Sequence, residues 1–154
     1  MNEMMKKRLV QAARDNDMAL VAELLQQGAP PDCRYNVTPL QCAVRNGNVD
    51  MATLLLEQGA NPNTHALMGH TALEYAMTSG HAEELMLCLI KLLLAYKATA
   101  TGGGSFSSYL YLAHRTGFAS VVSFLEAHGS CLHEGESLSP APRQRRRERR
   151  SANE

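Results

Sequence analysis

Val37-Thr38-Pro39-Leu40-Gln41-Cys42-Ala43 and His70-Thr71-Ala72-Leu73-Glu74-Tyr75-Ala76 write one pattern twice, with threonines at positions 38 and 71, 33 residues apart. Each stretch is followed by a glycine, a helical run and a small-residue turn. A period of this length limits the chain to an array of helix pairs, in which no pair buries its apolar face without a neighbour to stack on.

The register follows from the residue that ends each second helix: Gly28, Gly59, Lys97 in a glycine's place, and Gly129. Asn16 to Gly28, Gly47 to Gly59 and Gly117 to Gly129 are each 12 residues. The chain leaves a helix most easily through a left-handed residue, which glycine adopts freely and asparagine at some cost. Thr38 and Thr71 are placed to cap the helices that follow them, and Pro39 suits a first helical turn, where a missing N–H is no loss. Leu40 with Ala43, and Leu73 with Ala76, then share one helical face. The second helices, Leu20 to Leu25, Met51 to Leu56 and Val121 to Leu125, each carry an apolar stripe at helical spacing. With no tryptophan and 5% aromatic residues, the core is expected to be Leu, Val, Ala and Met in an all-α fold.

These residues resemble ankyrin repeats. Thr38-Pro39-Leu40, the Asn46-Gly47-Asn48-Val49-Asp50 turn and Leu54-Leu55-Leu56-Glu57-Gln58-Gly59-Ala60-Asn61-Pro62-Asn63 follow the family pattern across one whole unit. The resemblance implies an all-α ankyrin-repeat solenoid of about four helix-turn-helix repeats with hairpin-like finger turns. The repeats are read as residues 5–30, 36–63, 69–100 and 106–132 of a domain 1–133. Three departures stand out. The histidine usual after Thr-Pro-Leu is here Gln41, Glu74 and Tyr111, so its hydrogen bond must be replaced or lost. The third unit is five residues longer between turn and exit, enough to extend a helix by about 1.4 turns. Thr101-Gly102-Gly103-Gly104-Ser105 replaces a tight finger turn, and backbone freedom is expected there.

Composition excludes several classes. The zero net charge hides a run of six arginines, Arg143, Arg145, Arg146, Arg147, Arg149 and Arg150; residues 1–133 hold nine basic and eleven acidic residues, which makes no broad polyanion-binding face. Cys33, Cys42, Cys88 and Cys131 form no C-x-x-C pair, so reduced thiols are expected. The start of the chain is too polar for a signal peptide, and the run from Leu85 through Leu94 is too short to span a bilayer. Residues 134–154 are read as a disordered, Arg-rich tail, because Glu, Ser, Pro and Arg cannot bury enough apolar area to order themselves. The tail admits three roles: a solvated tether, a nuclear import signal, or a clamp for nucleic acid that lacks interleaved aromatics to stack on bases.

No catalytic motif is present, so no enzyme, cofactor or metal is expected. His81 and His114 are assigned structural roles. His128, Cys131 and His133 have ligand-like spacing but no fourth donor, which argues against a structural zinc site. Met4, Met5 and Met18 read as end-cap and core filler rather than a peptide-binding surface, since methionine packs into irregular gaps.

The expected function is therefore a non-enzymatic protein-protein interaction module, a monomeric scaffold of the cytoplasm, or of the nucleus if the arginine run directs import. The resemblance implies that one partner protein is held on a concave face by the first-helix ends Arg14, Asp15, Arg45, Asn46, Thr78, Ser79, Arg115 and Thr116. The fingers add Tyr35, Asn36, His65, Leu67, Met68, His70, Phe106 and Ser107, with Tyr35, Met68 and Phe106 as the expected anchors. Two alternatives remain open at this point: an adaptor directed by its arginine tail to the nucleus or nucleic acid, and an inhibitor that occludes an enzyme's active site.

Overall fold

The computed structural model describes residues 3–65, 67, 69–99 and 109–128. Eight helices lie among them: α1 (Glu3–Arg14), α2 (Met18–Gln26), α3 (Pro39–Asn46), α4 (Val49–Glu57), α5 (Ala72–Thr78), α6 (Glu83–Ala95), α7 (Tyr109–Thr116) and α8 (Ala119–Ala127). The described residues contain no strand beyond the isolated antiparallel bridge between Tyr35 and Val37. The chain divides into two compact units, Met1–Thr99 and Ala100–Glu154.

In the first unit the helices pair in sequence, α1 with α2, α3 with α4 and α5 with α6, and the first helices stack in the order α1, α3, α5. Their shared interior is Leu9, Ala13, Val21, Leu24, Leu40, Ala43, Val44, Met51, Leu55, Leu73, Ala76, Met86, Leu89 and Leu93, all buried. In the second unit α7 packs on α8, and Tyr109, Leu110, Ala113, Val121 and Leu125 are buried.

The exits of α2, α4 and α6 are built alike. Gly28 donates to the Leu25 carbonyl and Ala29 to that of Leu24; Gly59 and Ala60 repeat this on Leu56 and Leu55, and Lys97 and Ala98 on Leu94 and Leu93. This pair of bonds satisfies the last carbonyls of a helix and requires a positive φ at its end. Lys97 accepts that conformation at φ +65°, and Asn16 does the same at φ +63° in the turn between α1 and α2. The reading of both as stand-ins for glycine holds.

Gly47 has a second reason. A Cβ there would lie 3.0 Å from Leu85 Cδ2 and 3.2 Å from the His81 ring. The long third-unit segment uses that space, because His81 Nε2 lies 2.9 Å from the Val44 carbonyl oxygen. The structural role assigned to His81 is thus to tie the start of α6 to the end of α3. Helix α6 has thirteen residues where α2, α4 and α8 have nine. Four of the five extra residues lengthen the helix, and the fifth widens the turn before it. The apolar run in α6 is core along one side only: Met86, Leu89 and Ile90 are buried, and Cys88 is exposed.

Candidate partner-binding face

Thr38 and Thr71 open their helices with reciprocal caps. The Thr38 hydroxyl accepts from the Gln41 N–H at 3.2 Å, and Gln41 Oε1 accepts from the Thr38 N–H at 3.0 Å. Glu74 completes the same box with Thr71, at 3.3 and 2.9 Å. Two orphan N–H donors at the start of each helix are satisfied in this way.

Gln41 replaces the missing histidine by reaching outward as well. It is buried, and its Nε2 donates to the Thr64 carbonyl at 3.0 Å and to the His70 carbonyl at 2.9 Å. One amide therefore fixes the base of the next finger from both sides. Glu74, also buried, takes the His70 ring nitrogen at 3.2 Å instead.

The fingers are joined at their tips. Asn36 turns at φ +63°, which closes the Tyr35–Val37 bridge, and its carbonyl accepts from the Leu67 N–H at 3.3 Å. This sets two large exposed side chains on neighbouring tips: Tyr35 is 43% exposed and Leu67 81%. Lys7 on α1 places its Nζ 5.1 Å from the Tyr35 ring centroid, within the range of a cation–π contact. His65 is exposed beside them, and His70 is half-buried against Glu74 and Tyr75.

At the other end of the first helices, Asn46 donates to the carbonyls of Ala13 and Arg14, at 3.1 and 3.2 Å. This amide serves as the C-terminal cap of α1 and clamps α3 to it. Arg14 and Arg45 thereby come to the same edge, both exposed. Burial pushes the Cys42 thiol up from its ordinary pKa, while the positive charges of Arg45 and Arg14 beside it pull the other way. Burial dominates for Cys33 too, whose thiol is pushed up to about 11 and lies 3.6 Å from the Lys6 carbonyl oxygen.

Other expected contact residues are engaged locally. Asp15 accepts from Gln11, the Thr78 and Ser79 hydroxyls donate back to Glu74 and Tyr75 carbonyls, and in the second unit Thr116 donates to Ala113 while Arg115 is exposed. Met68, Phe106, Ser107, the glycine loop at 101–105 and the arginine run 143–150 lie outside the described residues, as do Cys131 and His133. Among the described residues no group of His, Cys, Asp and Glu could hold a metal ion. His128 bonds the Phe124 carbonyl oxygen through its ring at 2.7 Å.

Charge divides between the two helix layers of the first two helix pairs. Lys6, Lys7, Arg8, Arg14, Arg34 and Arg45 all fall on α1, the first finger and α3, whereas the segments of α2 and α4 with their caps carry Asp17, Glu23, Asp50 and Glu57 and no basic residue. Ion pairs among the described residues are Lys6 with Glu3 and His70 with Glu74.

A family model described as ankyrin repeats, in three copies, matches residues 9–101. The chain belongs to the ankyrin repeat family. An ankyrin repeat region is a non-catalytic module through which proteins bind other proteins. A rice protein (Oryza sativa subsp. japonica) named as a probable E3 ubiquitin-protein ligase is 35% identical over 128 residues, covering 79% of this ankyrin chain and 24% of its own. A platypus (Ornithorhynchus anatinus) protein named for ankyrin repeat, SAM and basic leucine zipper domains is 35% identical over 124 residues, 78% of this chain and 26% of its own. An E3 ubiquitin-protein ligase of Arabidopsis thaliana is 33% identical over 133 residues, 82% and 23%. The ankyrin chain spans about a quarter of the length of these relatives. No helix among the described residues is long and apolar enough to cross a membrane.

Proposed function

We propose that this ankyrin chain is a non-enzymatic module that holds one partner protein against its finger tips and first-helix ends. The observation that carries the reading is the exposure of Leu67 and Tyr35 on adjoining tips. Tyrosine is among the side chains in which interface energy concentrates, and Leu67 stands almost wholly in solvent on the adjoining tip. Asn36, His65 and His70 border them, Arg14, Asp15 and Arg45 form the first-helix ends at the far side of the face, and Arg115 with Thr116 is the corresponding edge of the second unit. Asn46, Thr78 and Ser79 present what their local bonds leave over. Ligase activity stays with the plant proteins that bear the name. The proposed compartment is the cytoplasm and the proposed state a monomer.

Affinity capture with the full chain and three variants tests this. Replacing Tyr35, His65 and Leu67 together with alanine is expected to bring partner recovery to background while the circular dichroism spectrum stays helical. Replacing Glu57 and Gln58 with alanine, or removing residues 140–154, is expected to leave recovery unchanged. Full recovery by the finger variant, with loss on removing 140–154, would transfer the function to the arginine run.

A further inference from the structure

Arg14 and Arg45 occupy the same position in successive repeats, two residues before the left-handed turn residues Asn16 and Gly47. The Asn46 clamp brings their backbones together, and both side chains are exposed with no carboxylate paired to either among the described residues. Both guanidinium groups act on one sulfur, that of Cys42. Two like charges on one edge repel each other, and a carboxylate accepting from both relieves the repulsion through charge-assisted bonds. Asp15 does not serve: its carboxylate accepts from Gln11, and no ion pair joins it to either arginine.

The same helix carries the second anchor. Lys7 sits over Tyr35 at the finger tips, seven residues before Arg14. At a rise of 1.5 Å per residue these two points on α1 are separated by roughly 10 Å. An extended peptide advances about 3.3–3.6 Å per residue, so about three residues bridge that distance. We propose that the occupant of this face is an extended acidic segment of a partner protein, with an apolar side chain on Tyr35 and Leu67 and an Asp or Glu three to four positions away on Arg14 and Arg45. This rests on the finger-face reading above and gives its partner a chemistry.

A nucleic acid fits less well. Over residues 3–99 ten acidic residues outnumber eight basic ones, so a long polyanion meets net repulsion beyond the patch, while a short acidic segment does not. It also offers no aliphatic side chain for the Leu67 tip.

A random dodecapeptide display library panned against the full chain tests the proposal. The expected result is enrichment of Asp and Glu, several-fold over the unselected library, at three or four positions from an apolar residue. A synthetic copy of the strongest binder is expected to lose tenfold or more in affinity on Arg14→Gln with Arg45→Gln, and to weaken steeply with added salt. Arg45→Glu is expected to favour a copy in which lysine replaces the acidic residues. The arginines at 143–150 are unchanged in every variant, so acidic peptides that bind the double variant at full strength would be held elsewhere and would overturn the proposal. Recovery of no peptide, or tighter binding of a random DNA oligonucleotide that the double variant abolishes, would overturn it too. Selected peptides that are not acidic but are lost on Tyr35→Ala with Leu67→Ala would remove the acidic class and keep the face. Peptides indifferent to both pairs of substitutions would remove the face itself.

Discussion

The α3/α4 pair and the α5/α6 pair fold from nearly the same opening, yet they stabilise their ends by different means. In the first, Gln41 is neutral and has two donors to spare, so after closing its cap it ties the following finger through the Thr64 and His70 carbonyls. In the second, Glu74 closes the same cap, but an ionised carboxylate only accepts, and it draws in the His70 ring. Helix α4 starts on Asn48, whose side chain accepts from the Met51 N–H at 2.9 Å, whereas α6 starts on Ala82 with no side-chain cap. The longer α6 is held at that end by His81 on Val44 and by packing over Gly47. A cap is local and a docked side chain is not, so the two pairs should respond differently to substitution.

The largest effect is expected where the pairs are alike. Leu55→Ala in α4 and Leu73→Ala in α5 each remove a fully buried side chain from the stack and should cost about 2–5 kcal/mol by urea denaturation. Values near those of surface substitutions, below ~0.5 kcal/mol at both sites, would refute the stacking register.

The next effect separates them. Gln41→Glu keeps the cap's acceptor but turns a carboxylate toward two carbonyls, and should cost about 2–3 kcal/mol at neutral pH. Glu74→Gln retains the cap and should cost about 1 kcal/mol or less. Equal costs would mean that the Gln41 amide is not what joins the repeats.

Caps give a smaller contrast of opposite sign. Asn48→Ala removes a cap that also donates to Asn16 Oδ1, and should destabilise by about 1–2 kcal/mol. Ala82→Asp supplies the missing cap to α6 and should stabilise by about 0.5–1 kcal/mol. Thermal unfolding of the two variants side by side checks both signs.

The thiols provide the mildest probe. Cys88 is exposed while Cys33 and Cys42 are buried, so brief iodoacetamide treatment at pH 8 should alkylate Cys88 before either of these two, as read by peptide mass spectrometry. Because burial raises the Cys33 pKa to about 11, its protonated form favours the folded state. That contribution is complete below the unfolded thiol's pKa and declines as pH rises from about 9 to about 11. Stability of the native chain should fall over this window more than that of Cys33→Ala.

Much of this architecture was legible in the chain, for reasons that are local. Thr38 and Thr71 announce a helix cap, a constant distance from turn to exit marked Asn16 as left-handed, and the place of Lys97 at the end of a second helix marked it likewise although neither is glycine. The all-α class followed from helical periodicity without aromatic-rich strands. What stayed hidden acts across repeats. Gln41 meets its acceptors 23 and 29 residues on, and no pattern within one repeat announces that. Asn46 is an expected contact residue, and its amide also caps α1 from 32 and 33 residues away. Thr78 and Ser79 carried a signal that could have been used, since hydroxyls in a helix's last turn commonly bond back to their own carbonyls. The recurrence of arginine at positions 14 and 45 was visible, whereas their convergence on Cys42 required the fold.

Hydrogen–deuterium exchange on the full chain, free and bound to its captured partner, tests the central claim most directly, because it maps the contact without altering a residue. The account predicts slowed exchange on binding at residues 33–38 and 64–70 and at the ends of α1 and α3, with α2, α4 and residues 143–150 unchanged. Protection confined to α4 around Glu57 and Gln58, or to the arginine run, would contradict it.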